Sequence, residues 1–371
     1  MRVHLVDPPA FTPPYDHALA AALARAGADV ELITSRFAYG EVPPPEGYVR
    51  RELFYRRAVG AAGSRTRRLS KLAEHVPDML RYRRSAIAAD VVHFQWVTAP
   101  VLDLPLLPRR PLVLTAHDLL PREPRPGQVA AQRRLLQRVD AVVVHSRYGR
   151  DQLVQRLGVA ADRVHVIHHG AFAPAGADTG ATPAGVGAGA SLPAEISDDG
   201  RPVVLLFGLL RPYKGLDTLL AAWRGLEGAQ LWIVGRPMMA LPRVPDGVTL
   251  VPRFVGAGEA QALISRADVM VLPYTRTERF DMSGVLAAAL GAGRPTVLSD
   301  IGGFSEVAAT GAARLVAPGD GEALRDALAE LVGDPEQRGR LAAAARAAAE
   351  GPYSWDEAAL ATLALYEAIR R

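Results

Sequence analysis

Residues 207–217 read Phe-Gly-Leu-Leu-Arg-Pro-Tyr-Lys-Gly-Leu-Asp. An apolar run, Val203–Phe207, stops at Gly208. Two fixed cations, Arg211 and Lys214, stand in the turn, and a helical pattern starts at Leu216. A strand that turns through glycine into a helix presents backbone N–H groups and the positive end of the helix dipole. With two cations added, the turn suits an anion of high charge density, and a diphosphate is the natural match. A second helix start lies at Asp281-Met282-Ser283-Gly284-Val285, before an almost wholly apolar stretch to Leu290. Ser283 fits an N-cap, and Gly284 lets a ligand approach the backbone closely. This start, with its free N–H groups, is read as the opposing jaw of a phosphate clamp. Gly235, after the strand pattern 230–234, offers another open stretch of backbone.

In the N-terminal half, polar and aromatic side chains gather at the ends of apolar runs. Phe11, Tyr15, Asp16 and His17 follow the first run, Phe11 within and the others just after a loop stiffened by four prolines. Phe11 and Tyr15 suggest a face for a sugar ring or lipid chain. His93 ends a second run, and His117 follows a third in Thr115-Ala116-His117-Asp118. His165, His168 and His169 are dense enough to suggest a metal. They lack carboxylate support and helical spacing, so no metal site is expected.

Strands and helices must alternate to position these groups. Strands are expected at 3–6, 30–34, 91–94, 112–115, 141–144 and 164–167, with a helix at 17–26. Ala171–Arg201 is Ala/Gly/Pro-rich without periodicity and reads as a junction. Alternation restarts with strands at 203–207, 230–234, 248–251, 269–272, 296–299 and 313–316. This pattern predicts two doubly wound α/β domains facing across a cleft, with ligands at the carboxyl ends of the strands. The expected boundaries are 1–172 for the first domain, 173–200 for a linker, 201–352 for the second domain and 353–371 for a terminal helix.

At 371 residues and 49% hydrophobic content, two domains have ample core, and with no cysteine there is no disulfide or thiolate chemistry. No apolar run reaches membrane-spanning length, so a cytoplasmic chain is expected. The net charge of +4 is uneven, since residues 50–84 hold eleven Lys/Arg against three Asp/Glu. That segment suits either a solvated helix or peripheral contact with an anionic membrane. Nucleic acid is not expected, because no aromatic-interleaved basic motif accompanies the charge.

The Arg211/Lys214 turn and the Ser283-Gly284-Val285 helix start together resemble the donor site of GT4-type, GT-B-fold glycosyltransferases. The strand–Ser–helix turn His145-Ser146-Arg147-Tyr148 and Gly293-Arg294-Pro295 add to the resemblance, which covers nearly the whole chain. It implies a retaining, metal-independent transfer of a hexose-type sugar from a nucleoside diphosphate, UDP or GDP, to an acceptor on the N-terminal domain. Arg211 and Lys214 would neutralise the leaving diphosphate, with Gly208, Gly235, Arg253, Ser283, Gly284, Val285 and Glu306 completing the donor site. His117 would lie near the reacting sugar without acting as general base, because the departing phosphate takes the acceptor proton. Tyr15, Asp16, His17 and His93 would line the acceptor side. The last helix would return to the first domain.

Three departures from the family pattern stand out. Leu209 occupies the place of an arginine, prolines replace a glycine-rich loop, and the family's Glu-x7-Glu pair falls on Phe280 and Ala288. Glu278 or Asp281 could take over the first glutamate's contact with the sugar. The missing pair motivates one alternative, a nucleotide-sugar-binding or partner protein without transfer activity. A second, a GT-B nucleotide-sugar epimerase, would need acid/base carboxylates in the cleft that the donor half does not clearly offer.

Overall fold

A computed structural model describes residues 1–120, 126–172, 191–276 and 281–370. The expected linker lies outside the described residues from 173 to 190.

The first unit opens with β1 (Arg2–Asp7), α1 (Pro13–Arg25), β2 (Asp29–Ser35), β3 (Val49–Phe54) and α2 (Arg65–Ser85). It continues through β4 (Val91–Phe94), α3 (Pro100–Asp103), β5 (Leu112–Thr115), α4 (Gln128–Arg138), β6 (Ala141–Val144), α5 (Arg147–Asp151) and β7 (Val164–Val166). The strands form a parallel sheet in the order β3-β2-β1-β4-β5-β6-β7. β4, β5 and β6 are buried along their whole length, as parallel strands covered on both faces must be, and so read as unbroken apolar runs. β3 went unrecognised in the sequence because Val49-Arg50-Arg51-Glu52 carries the charges of an edge strand, buried only at its end. Helix α1 starts four residues before the expected His17, at the prolines themselves. The first turn needs no N–H donor there, and proline's fixed φ is already helical.

The second unit holds β8 (Val203–Phe207), α6 (Leu216–Trp223), β9 (Gln230–Val234), β10 (Val248–Val251), α7 (Ala257–Arg266), β11 (Val269–Leu272) and α8 (Gly284–Gly291). It then adds β12 (Thr296–Ser299), α9 (Phe304–Ala308), β13 (Ala313–Val316), α10 (Gly321–Gly333) and α11 (Pro335–Glu350). Its sheet is again parallel, in the order β10-β9-β8-β11-β12-β13. Leu206, Leu219, Leu231, Ile233, Val271 and Leu328 are among the side chains that form its core. Residues 191–200, expected to be linker, belong to this unit: Glu195 pairs with Arg253 (2.7 Å) and Asp198 with Arg266 (2.5 Å).

The last helix, α12 (Trp355–Arg370), packs with the first unit. Tyr366 Oη lies 2.6 Å from His93 Nδ1, and Arg25 donates to Asp356 at 2.7 Å. The chain divides between Gly170 and Ala171 and again between Ser354 and Trp355, and Asp281 also packs with the first unit.

Candidate active site

In the second unit the strand order reverses between β8 and β11, which is where an open parallel sheet leaves a crevice at its carboxyl edge. Gly208 follows β8, and Pro273-Tyr274 follows β11. The turn 212–214 carries Lys214 into the unit, where it is 5% exposed. Gly215 closes the turn at φ +70°, with the Pro273 carbonyl oxygen only 1.7 Å from where a Cβ would stand. Only glycine permits that approach, and it packs the start of α6 against the tail of β11. The Thr275 N–H donates to the Tyr213 carbonyl at 2.8 Å, so the tail runs along the turn.

Tyr274 joins the two helix starts. Lys214 Nζ donates to Tyr274 Oη and lies 4.2 Å from the centre of that ring. Tyr274 Oη is 3.1 Å from Ser283 Oγ, which in turn accepts from the Val285 N–H at 3.3 Å and so caps α8. The space left by the missing side chain of Gly208 is bounded by Val285 Cγ2 at 3.1 Å and Lys214 Nζ at 3.8 Å. Lys214, Gly208, Ser283 and Val285, all expected from the sequence, therefore meet at one place, and Gly284 stands exposed beside them. Arg211 begins the turn half-buried, its guanidinium making no hydrogen bond or ion pair among the described residues. Tyr274 was missed. Its Pro-Tyr signal was visible in the sequence, but not that β11 pairs with β8.

Other donor-site residues have different surroundings. Gly235 is needed by the backbone itself, since a Cβ there would lie 1.8 Å from the Gly208 carbonyl oxygen. This packing accounts for the glycine without a ligand. Arg253 is clamped between Glu195 and Glu259, both at 2.7 Å, and these carboxylates raise its pKa further. A nucleotide would have to displace one of them, so the geometry gives no support to a nucleotide contact from this arginine. Glu306 sits half-buried in the first turn of α9, close enough to Tyr353 to raise that phenol's pKa, an effect secondary to burial. Phe280 and Glu278 lie outside the described residues. Asp281 is not available to a sugar: its Oδ2 accepts from the His145 N–H at 2.6 Å and its Oδ1 from the Ser146 hydroxyl, at the start of α5.

The first unit's sheet reverses between β1 and β4. Asp7, at the end of β1, accepts the N–H groups of Phe11 (2.7 Å) and Thr12 (3.2 Å) and so shapes the proline loop. Trp96, after β4, stacks on His117 with ring centres 5.1 Å apart and meets exposed Phe11 edge-on at 5.4 Å. His117 Nε2 is 3.2 Å from Gln95 Oε1. Tyr15 is buried edge-on between His117 (4.7 Å), His169 (4.9 Å) and Trp355 (5.0 Å). Burial first, and neighbouring histidines second, hold the pKa of His117 well below the usual range, while His145 falls to about 3. These rings are neutral near pH 7.

Asp16, His17 and His93, expected on the acceptor side, are buried and have partners within the first unit. Burial, and then the charge of Asp7, push the Asp16 pKa well up. Burial raises the pKa of Asp7 as well, and a proton on Asp16 would supply the donor that its buried Oδ1 lacks. His17 Nδ1 is 2.9 Å from Tyr48 Oη. His93 is 1% exposed, with Tyr366 and Thr115 hydroxyls on its two ring nitrogens. Phe11, Trp96 and His117 are left as the accessible group at this crevice. Among the described residues no three His, Asp or Glu side chains are grouped to hold a metal ion.

Two parallel α/β units of this strand order define a GT-B fold. Anabaena HepE in complex with UDP-glucose superimposes with a TM-score of 0.68 at 18% identity, over 98% of this chain and 100% of that one. Residues 15–171 match the family described as Glycosyltransferase Family 4, and residues 201–334 match Glycosyl transferases group 1. The D-inositol 3-phosphate glycosyltransferase of Xylanimonas cellulosilytica is 29% identical over 94% of this chain and 89% of that protein. The alpha-maltose-1-phosphate synthase of Mycolicibacterium smegmatis is 30% identical over 77% of this chain and 80% of the relative. The chain belongs to the GT4-type glycosyltransferases and is an enzyme of glycosyl transfer.

Proposed function

We propose that this enzyme moves a hexose-type sugar from UDP or GDP to an acceptor held by its N-terminal unit, with retention at the anomeric carbon and without a metal ion. The observation that carries the reading is the Lys214–Tyr274–Ser283 array at the β8/β11 crevice. It brings a buried ammonium and a capped helix start to one point beside an exposed glycine. A diphosphate there receives charge from Lys214 and Arg211 and hydrogen bonds from the first turn of α8. As the bond from the anomeric carbon to the phosphate oxygen breaks, those groups stabilise the charge growing on the leaving phosphate. The same phosphate oxygen takes the proton from the acceptor hydroxyl, whose oxygen bonds to the anomeric carbon. His117, neutral and low in pKa, is poorly suited to act as the base and instead orients hydroxyls. UDP-glucose bound to the structurally similar HepE favours a uridine donor.

The test is thermal unfolding with UDP or GDP in EDTA. Nucleotide at about a hundredfold its Kd should stabilise the protein by about 2.7 kcal/mol, a rise of several degrees. Lys214→Ala should abolish the rise, measured against its own ligand-free melting point. If neither nucleotide shifts wild type, the donor-site reading fails. Dependence of the shift on added Mg²⁺ would overturn metal independence.

A further inference from the structure

Helix α2 turns an unusual face outward. Leu69, Leu72, Val76 and Leu80 are spaced 3, 4 and 4 residues apart and so fall on one side of the helix, covering roughly 17 Å of its length. They are 68, 57, 36 and 43% exposed, whereas His75, Asp78, Met79 and Tyr82 face the core. Ile87, 67% exposed, extends the stripe past the helix end. An apolar row facing water calls for an occupant.

The surrounding charge identifies that occupant. The exposed positions of α2 include Arg65, Arg68, Arg81 and Arg84 and no carboxylate. The helix's two acids are engaged: Asp78 is buried and bound to Arg81, and Glu74 accepts the Arg57 N–H at 3.0 Å. Where the stripe ends, a cavity of about 350 Å³ opens between Leu80, Ile87 and the four arginines 83, 84, 109 and 110. Arg83 and Arg110 are anchored on the carbonyls of Pro105 and Ile87. Arg65, Arg68, Arg84 and Arg109 make no side-chain hydrogen bond or ion pair among the described residues.

We propose that this face of α2 docks on an anionic lipid bilayer, with the apolar row in the boundary of the acyl region and the arginine-lined cavity taking lipid phosphates. Helical spacing puts Arg65 and Arg83 on the side of the leucine row and Arg68 and Arg84 within about a quarter turn of it, as is needed when apolar tips enter the bilayer and guanidinium groups remain at the headgroups. A protein partner would have to bring carboxylates to every arginine around that row. A bilayer supplies phosphates throughout.

Flotation with vesicles, at physiological ionic strength and without nucleotide, tests this. Wild type should rise with an equimolar mixture of phosphatidylglycerol and phosphatidylcholine, and should not rise with phosphatidylcholine alone. Arg84→Gln with Arg109→Gln should weaken partition about 25-fold, at about fivefold per charge near an anionic surface. Leu72→Ser with Val76→Ser should lower recovery by at least about tenfold. All four positions are exposed, so both variants should keep the wild-type melting point. The proposal fails if wild type stays unbound to anionic vesicles or floats equally with neutral ones. Unchanged recovery of either folded variant, or release by millimolar inorganic phosphate, also overturns it.

Discussion

Lys214 shows how a residue is prepared for an anion. Burial alone would penalise its charge, and the Tyr274 hydroxyl and ring offset that penalty while aiming Nζ at the gap above Gly208. Ser283 draws on the same tyrosine while capping α8, so the cation and the helix start are tied through one phenol. We expect Tyr274→Phe to keep the lysine charge but lose its orientation. Kd for UDP should rise about tenfold by calorimetry, near the effect of one hydrogen bond to a charged group. That is a smaller loss than with Lys214→Ala. An unchanged Kd would show that the tyrosine serves packing alone.

At the scale of elements, α1 depends on a shared proton. Asp7 closes the loop that leads into the helix, and Asp16, one turn inside, meets it with a carboxyl whose pKa burial raises well above the usual range. Because the folded-state pKa of Asp16 is raised, its contribution to stability is fully present below its unfolded value near 4 and is lost as pH rises through the folded value. Asp16→Asn supplies a permanent N–H donor in place of that proton. The melting point of the variant minus that of wild type should therefore increase from about pH 4 to pH 8. A constant difference would mean that Asp16 ionises normally. Using the difference cancels the opposite trend from His93, His117, His145 and His169. Their lowered pKa values cost stability as pH falls below about 6.5.

At the scale of the molecule, each unit has its own sheet and core, and the chain's last helix belongs to the first unit rather than to the one it follows. Trp355 anchors that return. Its ring packs against Tyr15 and His169 and fills the space above Gly170, where a Cβ would fall 2.3 Å from it. Trp355→Ala should cost roughly 3–5 kcal/mol. In a denaturant titration the loss should appear in the first unit, read by protection of amides in β1 and β4. Loss confined to the second unit would contradict this placement of α12.

The sequence by itself determined the parallel α/β architecture, because buried parallel strands leave unbroken apolar runs that stop at glycine or a polar turn. It also marked Lys214, Ser283 and Gly284, since phosphate chemistry at helix starts needs local residues in a fixed order. Edge strand β3 and the proline start of α1 were hidden because their residues also suit a solvated loop. Only the tertiary structure decided which strands are neighbours. That choice put Tyr274 between Lys214 and Ser283, committed Asp281 to the start of α5, and clamped Arg253 between two glutamates. It also turned the leucine row of α2 outward. Contacts of this kind depend on packing between segments far apart in the chain, which local spacing does not encode.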